Sequence, residues 1–301
     1  MESRLSSRGR VAESTISSGG GAASFPTARS PSSPGARGRL SRCRRRPCCS
    51  SSGPSRRGGS RGSFDPTVLG DVIRAGYDRP FDDVGPSPAP GRSPLLLGCT
   101  DIEVDGREVR LPAGTGFDPG GIGKGLAADM VVAETMAAGA ARVCLNLGGD
   151  LRVTGLDPTD AAWTVAVEYP LAARPLAYVG LRDGAVATST TLRRRWQVDG
   201  RLRHHLIDPF TGLSSDSDLT LVTVVAGSAW TAEVLAKAVL LRGSTHPFDL
   251  IDGIGAEALI VDDAGYVRAS AGLATYLGGA RLVDRVPVSP AVAGLMSGAR
   301  R

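Results

Sequence analysis

Short runs of alternating hydrophobic and polar residues mark most of the chain beyond its first sixty residues. Alternation predicts half-buried strands, because successive side chains of a strand point to opposite faces of the sheet. We therefore predict strands at 142–147, 163–168, 177–181, 184–188 and 219–225. Tight turns that contain glycine predict three hairpins, at 101–111, 196–206 and 258–268.

Apolar residues at helical spacing predict three helices, at 63–77, 124–138 and 229–241. A proline-rich stretch at 78–98 is predicted to be a surface loop. Strands outnumber helices, and most of them have a partner close by in sequence. We therefore predict an α+β fold with largely antiparallel sheets and packed helices.

A glycine-rich stretch, D-P-G-G-I-G-K-G-L-A-A-D at 118–129, opens the second predicted helix. Glycines let the backbone approach a ligand closely, and a helix N-terminus attracts anions. Leu126, Met130, Val131 and Met136 form the expected apolar stripe of this helix. Lys124 lies at its start and is one of only two lysines in the chain, against 33 arginines.

Two familiar phosphate-binding motifs do not match this loop. A P-loop requires a serine or threonine where Gly125 stands, and the dinucleotide motif G-x-G-x-x-G has a different glycine spacing. A plain helix entry, with glycines chosen for turn geometry, is the alternative interpretation.

Positive charge is concentrated at the front of the chain. Residues 1–61 carry 13 Arg against Glu2 and Glu13, a net charge of +11, whereas the whole chain carries +5, so residues 62–301 carry 5 − 11 = −6. We therefore expect no nucleic-acid binding by the folded part. An arginine-rich arm that binds nucleic acid or anionic lipid is the competing hypothesis for the front segment.

The composition of 1–61, rich in Arg, Ser and Gly, predicts a disordered leader and not a domain. No run in the sequence is apolar enough for a signal peptide or a membrane span, which predicts a cytoplasmic protein as the chain is written. Five cysteines without paired spacing exclude a disulfide framework and a zinc site, and Cys144 is predicted to be buried in its strand.

Four further motifs follow the glycine-rich loop in order. They are N-L-G-G-D at 146–150, A-T-S at 187–189, H-L-I-D-P-F-T-G at 205–212 and A-E-V-L-A-K at 232–237. Together they resemble the FAD:protein FMN transferase family, the ApbE-type flavin transferases, over residues 62–280. The resemblance implies an ApbE-like fold, followed here by a C-terminal tail at 281–301.

The resemblance also implies a reaction. Members of this family move FMN from the substrate FAD to a threonine hydroxyl of an acceptor protein and release AMP, with assistance from Mg²⁺. Their acceptors are flavoprotein subunits of redox complexes. Attack at phosphorus requires cations near the phosphates and a base for the hydroxyl.

Candidate site residues follow position by position from the matching motifs. His205 is the expected base, and Asp208 is expected to orient either His205 or its loop; His204 and His246 are interpreted as structural. The resemblance implies cofactor contacts at Ser63, Phe64, Asp65, Asp118, Lys124, Thr188, Ser189 and Ile207. It implies metal contacts at Gly121, Glu233 and Lys237.

The chain departs from the family pattern in two places. The metal-binding helix of the family carries A-D-x-x-x-T, whereas Glu233 and Lys237 stand at the two ligand positions here. A protonated lysine cannot bind Mg²⁺, and an i,i+4 Glu–Lys pair on a solvated helix face is the alternative. The G-x-F-D-P-T-V element at 62–68 directly follows low-complexity sequence.

This abrupt onset predicts an ApbE-like fold that lacks its usual front segment, through a wrong reading frame, a wrong start site or a truncated gene. The second hypothesis is therefore a non-catalytic or vestigial flavin-binding member of the same family.

Overall fold

The computed structural model describes residues 63–84, 98–155, 161–198 and 200–288. The predicted leader at 1–61 lies outside these ranges, as do most of the predicted proline-rich loop and residues 289–301. Within the described ranges, no helix has the length and apolar character needed to cross a membrane.

Three α-helices and a larger number of strands form the described part of the chain. The helices are α1 (Leu69–Arg74), α2 (Gly123–Ala137) and α3 (Ala229–Arg242). Short 3₁₀ turns lie at Phe81–Asp83, Cys99–Asp101, Pro119–Gly121 and Ala271–Tyr276. The strands are β1 (Glu103–Asp105), β2 (Glu108–Arg110), β3 (Val143–Leu147), β4 (Asp150–Thr154), β5 (Trp163–Val167), β6 (Ala177–Leu181), β7 (Gly184–Thr190), β8 (Arg195–Val198), β9 (Arg201–His204), β10 (Ile207–Asp208), β11 (Leu213–Ser214), β12 (Leu219–Ala226), β13 (Glu257–Asp262) and β14 (Val267–Ala269).

A six-stranded antiparallel sheet forms the centre, in the order β14-β13-β12-β7-β4-β3. All eight residues of β12 are buried, because both faces of this strand are covered. Val222 and Val224 face one core, beneath α2 and α3, and Leu221 and Val225 face the other, beneath the β5–β6 hairpin. The predicted α+β class with antiparallel sheets is confirmed.

The first predicted helix is shorter than expected. We predicted 63–77, whereas α1 covers only Leu69–Arg74. Asp65 precedes a proline, which disfavours helical backbone at that residue. Its buried carboxylate accepts hydrogen bonds from the backbone N–H and hydroxyl of Thr67, at 2.8 and 2.6 Å, and from the Cys99 N–H at 3.1 Å. These bonds fix a turn where the prediction placed a helix.

Strand β4 was missed, although its signal was present. Gly148 and Gly149 both have positive φ, 61° and 98°, and form a two-residue turn between Leu147 and Asp150. Two such residues are typical of a tight hairpin turn. The N-L-G-G-D motif at 146–150 therefore also forms the turn of the β3–β4 hairpin.

The buried face of α2 also differs from the prediction. Leu126, Met130 and Val131 are 46%, 56% and 45% exposed, and the residues that α2 buries are Gly125, Ala128 and Val132. Small residues face inward because α2 lies very close to α3: a Cβ on Gly125 would come within 2.4 Å of the Ala229 carbonyl oxygen.

The predicted burial of Cys144 is also wrong. Cys144 is exposed, whereas its neighbour Leu145 is buried. Strand β3 lies at the edge of the sheet, and side-chain alternation places Cys144 on the face opposite to the core.

Candidate functional site

Two neighbouring cavities lie where the glycine-rich loop, α3 and the histidine motif meet. The larger has a volume of about 500 Å³ and the smaller about 240 Å³. Four residues line both cavities: Gly120, Arg194, His205 and Lys237. The fold thus brings together motifs that are far apart in sequence.

Four charged side chains form a network beside the larger cavity, which we call the charged cluster: Asp150, Glu233 and Lys237, which are largely buried, and Lys124, which is 40% exposed. The Lys124 ammonium donates hydrogen bonds to Asp150 and, at 3.1 Å, to Oε1 of Glu233. The Lys237 ammonium donates to the same Oε1 at 3.2 Å. Oε2 of Glu233 accepts the Gly125 N–H at 2.8 Å.

Burial distinguishes this network from a surface ion pair. The Glu233 side chain is 1% exposed and that of Lys237 is 12% exposed. The alternative of an i,i+4 pair on a solvated helix face is therefore wrong. Lys124 and Lys237 share this carboxylate and therefore lie next to each other.

Charges within the cluster shift each other's pKa. Burial raises the pKa of Asp150, and the nearby Lys124 opposes this shift only partly. Burial also acts to raise the pKa of Glu233, but the ammonium groups of Lys237 and Lys124 outweigh it and lower that pKa.

The two lysines respond in opposite directions. Burial acts to lower the pKa of Lys124, but Asp150 and Glu233 outweigh it and raise the pKa. Burial lowers the pKa of Lys237, despite the attraction of Glu233. The charged form is therefore less favoured for Lys237 than for Lys124.

His205 lies between the cavities with a buried Nδ1 that has no hydrogen-bond partner within the described residues. Burial, with smaller contributions from Arg194 and other cations, lowers its pKa to about 3. The imidazole is therefore neutral at neutral pH and has an unsatisfied polar atom. A buried nitrogen without a partner is costly, which favours a ligand or a water at this place.

The neighbouring His204 is structural, as predicted. Its Nε2 lies 3.0 Å from the carbonyl oxygen of Ser215, and its Nδ1 accepts the Leu206 N–H at 3.3 Å. Burial lowers its pKa to about 4. These contacts hold the strand that ends beside His205.

Asp208 orders the loop that follows His205. Its carboxylate accepts the Phe210 N–H at 2.8 Å and the Thr211 hydroxyl at 3.3 Å, and its carbonyl oxygen accepts the Gly212 N–H at 2.8 Å. Of the two roles that we expected for Asp208, the geometry supports the positioning of the loop. We call residues 205–212 the histidine loop.

The smaller cavity has a mostly apolar wall. Phe64, Val68, Val72, Tyr77 and Ile207 contribute to it, together with the predicted contacts Asp65 and Asp118. Phe64 lies directly over Gly121, since a Cβ at that glycine would come within 2.3 Å of the Phe64 ring. Asp118 accepts the Gly120 N–H at 2.8 Å and so caps the turn as well as facing the cavity.

Strand β7 supplies the predicted polar contacts of the larger cavity. Thr188 and Ser189 both line it, and the Thr188 hydroxyl lies 2.8 Å from that of Thr223 on β12. Ser63, the remaining predicted contact, is half-buried in the turn before Phe64 and does not line either cavity.

Sequence reasoning missed several polar residues of the site, including three charged ones. Asp150 completes the charged cluster, and Arg193 and Arg194 line the larger cavity. Arg194 has a φ of 49°, an uncommon value for a residue with a side chain and typical of functional loops. The run of three arginines at 193–195 was the available signal.

The residues at the expected magnesium position do not fit a magnesium ion. Both carboxylate oxygens of Glu233 already accept hydrogen bonds, and the second expected ligand is the ammonium of Lys237. The described part of the chain contains no group of three or more His, Cys, Asp or Glu residues placed to hold a metal. Mg²⁺ prefers several oxygen ligands in octahedral geometry.

Comparison with known proteins identifies the family. A family model described as the ApbE family matches residues 57–260. The FAD:protein FMN transferase of Treponema pallidum is 33% identical over 187 residues, which cover 58% of this chain and 49% of that protein. The enzyme of the same name from Rhodobacter capsulatus is 30% identical over 220 residues, 70% of this chain and 41% of that protein.

A solved structure shares the fold. The ApbE protein of Thermotoga maritima superposes with a TM-score of 0.63 at 27% identity, over 71% of this chain and 72% of that one. The chain spans about half the length of the curated relatives it matches. Since the family model covers more than half of the chain, the protein belongs to the ApbE family.

Proposed function

We propose that the protein transfers FMN from FAD to a threonine hydroxyl of an acceptor protein and releases AMP. The observation that carries this proposal is the position of His205, neutral and with an unpartnered nitrogen, between two cavities and beside two lysines. Relatives that match over the same residues bear the name FAD:protein FMN transferase.

The proposed chemistry is a single displacement at phosphorus. The threonine oxygen attacks the phosphorus on the FMN side of the pyrophosphate, and the bond from that phosphorus to the bridging oxygen breaks. AMP leaves with the bridging oxygen and its electron pair. The threonine proton moves to His205, which is neutral and so able to accept it.

The walls of the two cavities suit the two parts of the substrate. The smaller, mostly apolar cavity, with Phe64 and Ile207, matches a planar flavin ring. Lys124, Lys237 and Arg194 place positive groups at the larger cavity, where phosphates would need them. Asp118, Thr188 and Ser189 supply polar contacts nearby. The acceptor is proposed to be a flavoprotein subunit of a redox complex.

A non-catalytic, flavin-binding role is the second candidate. One observation favours it: each ammonium of the charged cluster is already paired with a carboxylate, so the cluster is balanced without a substrate. In that case the two cavities would hold FAD without cleaving it.

Cleavage of FAD separates the two candidates. We expect incubation with FAD and a threonine-containing acceptor subunit to give one AMP, measured by chromatography, for each flavin bound covalently to the acceptor. Without the acceptor, slow hydrolysis to FMN and AMP reports the same bond cleavage. Tight FAD binding with neither product would establish the non-catalytic role.

A further inference from the structure

The position where a metal ion would bind carries an internal cation. Lys237 extends from α3 toward the glycine-rich loop, and a Cβ on Gly121 would lie 3.4 Å from its Cδ. The side chain is 12% exposed and lines both cavities. A positive charge is therefore fixed at the junction of the cavities.

Glu233 holds that cation in place. Its Oε1 accepts from Lys237 at 3.2 Å and from Lys124 at 3.1 Å, and its Oε2 accepts from the Gly125 N–H at 2.8 Å. A divalent ion at this carboxylate would find three of its roughly four lone-pair sites already occupied by donors. It would also lie next to two ammonium groups, whose repulsion is strong where water is largely excluded.

The charges of the cluster support the same conclusion. Two carboxylates, Asp150 and Glu233, balance two ammonium groups, Lys124 and Lys237, so the cluster itself has no net negative charge to attract Mg²⁺. At the wall of the larger cavity, Arg193 and Arg194 add two positive charges and Glu168 adds one negative charge. This wall therefore has a net positive charge, which favours an anion over a cation.

We propose that Lys237 supplies the cation of this site, so that the protein binds the pyrophosphate of its nucleotide without a divalent metal. This inference rests on the proposed function in one respect only, namely that the bound nucleotide is FAD. Lys237 donates to the pyrophosphate while Glu233 fixes its position.

The first test needs no variant. The free Mn²⁺ signal in electron paramagnetic resonance should stay unchanged when the protein is added, since Mn²⁺ takes the same oxygen ligands as Mg²⁺. Calorimetry should give FAD and inorganic pyrophosphate affinities in EDTA within ~2-fold of those in Mg²⁺. Tight Mn²⁺ binding, an FAD affinity that rises ~10-fold or more with Mg²⁺, or no binding of either anion in EDTA would overturn the proposal.

Two substitutions then test Lys237 itself. Lys237→Met should weaken FAD binding in EDTA by ~10-fold or more, the value of one charge-assisted hydrogen bond, and by more at low salt than at high salt. Lys237→Thr removes the charge and adds an oxygen, so its FAD binding should become dependent on Mg²⁺. Equal FAD affinity in all three proteins under every condition would contradict the proposal.

Arg242→Met is the matched control. Arg242 lies on the same helix and pairs with Asp249 at 3.3 Å, and it lines neither cavity. The Arg242→Met substitution also removes one positive charge from α3, and it should leave the FAD affinity unchanged. The outcome is independent of catalysis: FAD binding in EDTA, together with no AMP release in the presence of the acceptor either with or without Mg²⁺, would disprove the proposed transferase activity and leave the metal-free site in place.

Discussion

The charged cluster and the histidine loop lie side by side but are built in different ways. Lys124 contacts partners that are 26 and 109 positions away in sequence, and these contacts are between full charges. The histidine loop is held by neutral donors to Asp208 that lie within four positions of it. The cluster therefore depends on the packing of α2 against α3, whereas the loop depends mainly on its own turn.

Removal of the imidazole should have the largest effect on activity. We predict that His205→Ala lowers flavin transfer by ~10²–10⁴-fold, about 3–5 kcal/mol, and changes FAD affinity far less. A base acts on a proton that moves only during the reaction. Single-turnover rates and FAD titrations measure the two quantities, and equal losses in both would make His205 a positioning residue.

Removal of one cluster charge should cause the largest loss of stability. We predict that Glu233→Gln destabilises the protein by about 3–5 kcal/mol, because two nearby ammonium groups lose their shared carboxylate. Urea unfolding measures this change. The control is Asp249→Asn, which breaks the more exposed pair with Arg242 and should cost at most about 1 kcal/mol. Similar losses in both variants would contradict a special role for burial.

Mild acid should destabilise the protein through its two buried histidines, His204 and His205. Burial lowers the pKa of His204 to about 4 and that of His205 to about 3, from a usual value of 6.5. Between pH 6.5 and about 4 the unfolded chain therefore binds protons that the folded protein does not, and stability falls as the pH falls.

From pH 7 to pH 5 we expect a loss of about 2 kcal/mol for each of these histidines. Unfolding free energies measured at the two pH values check the result. His204→Gln should remove its share of the pH dependence, and an unchanged dependence in that variant would show that other groups cause it.

The smallest predicted effect concerns the turn of the histidine loop. Asp208→Asn replaces one charged acceptor and should lower the free energy of unfolding by about 1 kcal/mol. It should raise the activation free energy of transfer by a similar amount, about a 5-fold loss in rate. Hydrogen exchange of the Phe210 amide, which donates to Asp208, measures the loop directly. A drop in rate as large as that of His205→Ala would instead assign Asp208 a direct role in proton transfer.

Local features were predictable from the sequence to a large extent. Alternation and turn glycines located most of the strands and hairpins, and helices α2 and α3 lie within a residue of their predicted bounds. The motif residues His205, Lys124 and Lys237 were identified before their contacts were known. Their convergence on one pair of cavities follows from the family resemblance more than from any local pattern.

Long-range features were not predictable. Nothing near Asp150 in sequence indicates that Lys124 will pair with it, because the two meet only when β4 and α2 pack together. The inward face of α2 was misjudged because large apolar side chains normally mark the core. Here the short distance between α2 and α3 leaves room only for smaller residues on that face, Gly125, Ala128 and Val132.

The contact at Gly125 has a consequence for how freely the sequence can vary. Its missing side chain lets α2 approach Ala229, and its N–H donates to the Glu233 carboxylate at 2.8 Å. One position therefore sets both the distance between the helices and the position of that carboxylate. An alanine at this position would push the helices apart and would also move the backbone N–H away from Glu233. Neighbours one and five residues further along, Leu126 and Met130, are about half exposed and are open to replacement. Tolerance to substitution should therefore differ sharply between neighbouring positions of this helix. Gly125 should not accept even one added methyl group, whereas Leu126 and Met130 should accept other side chains.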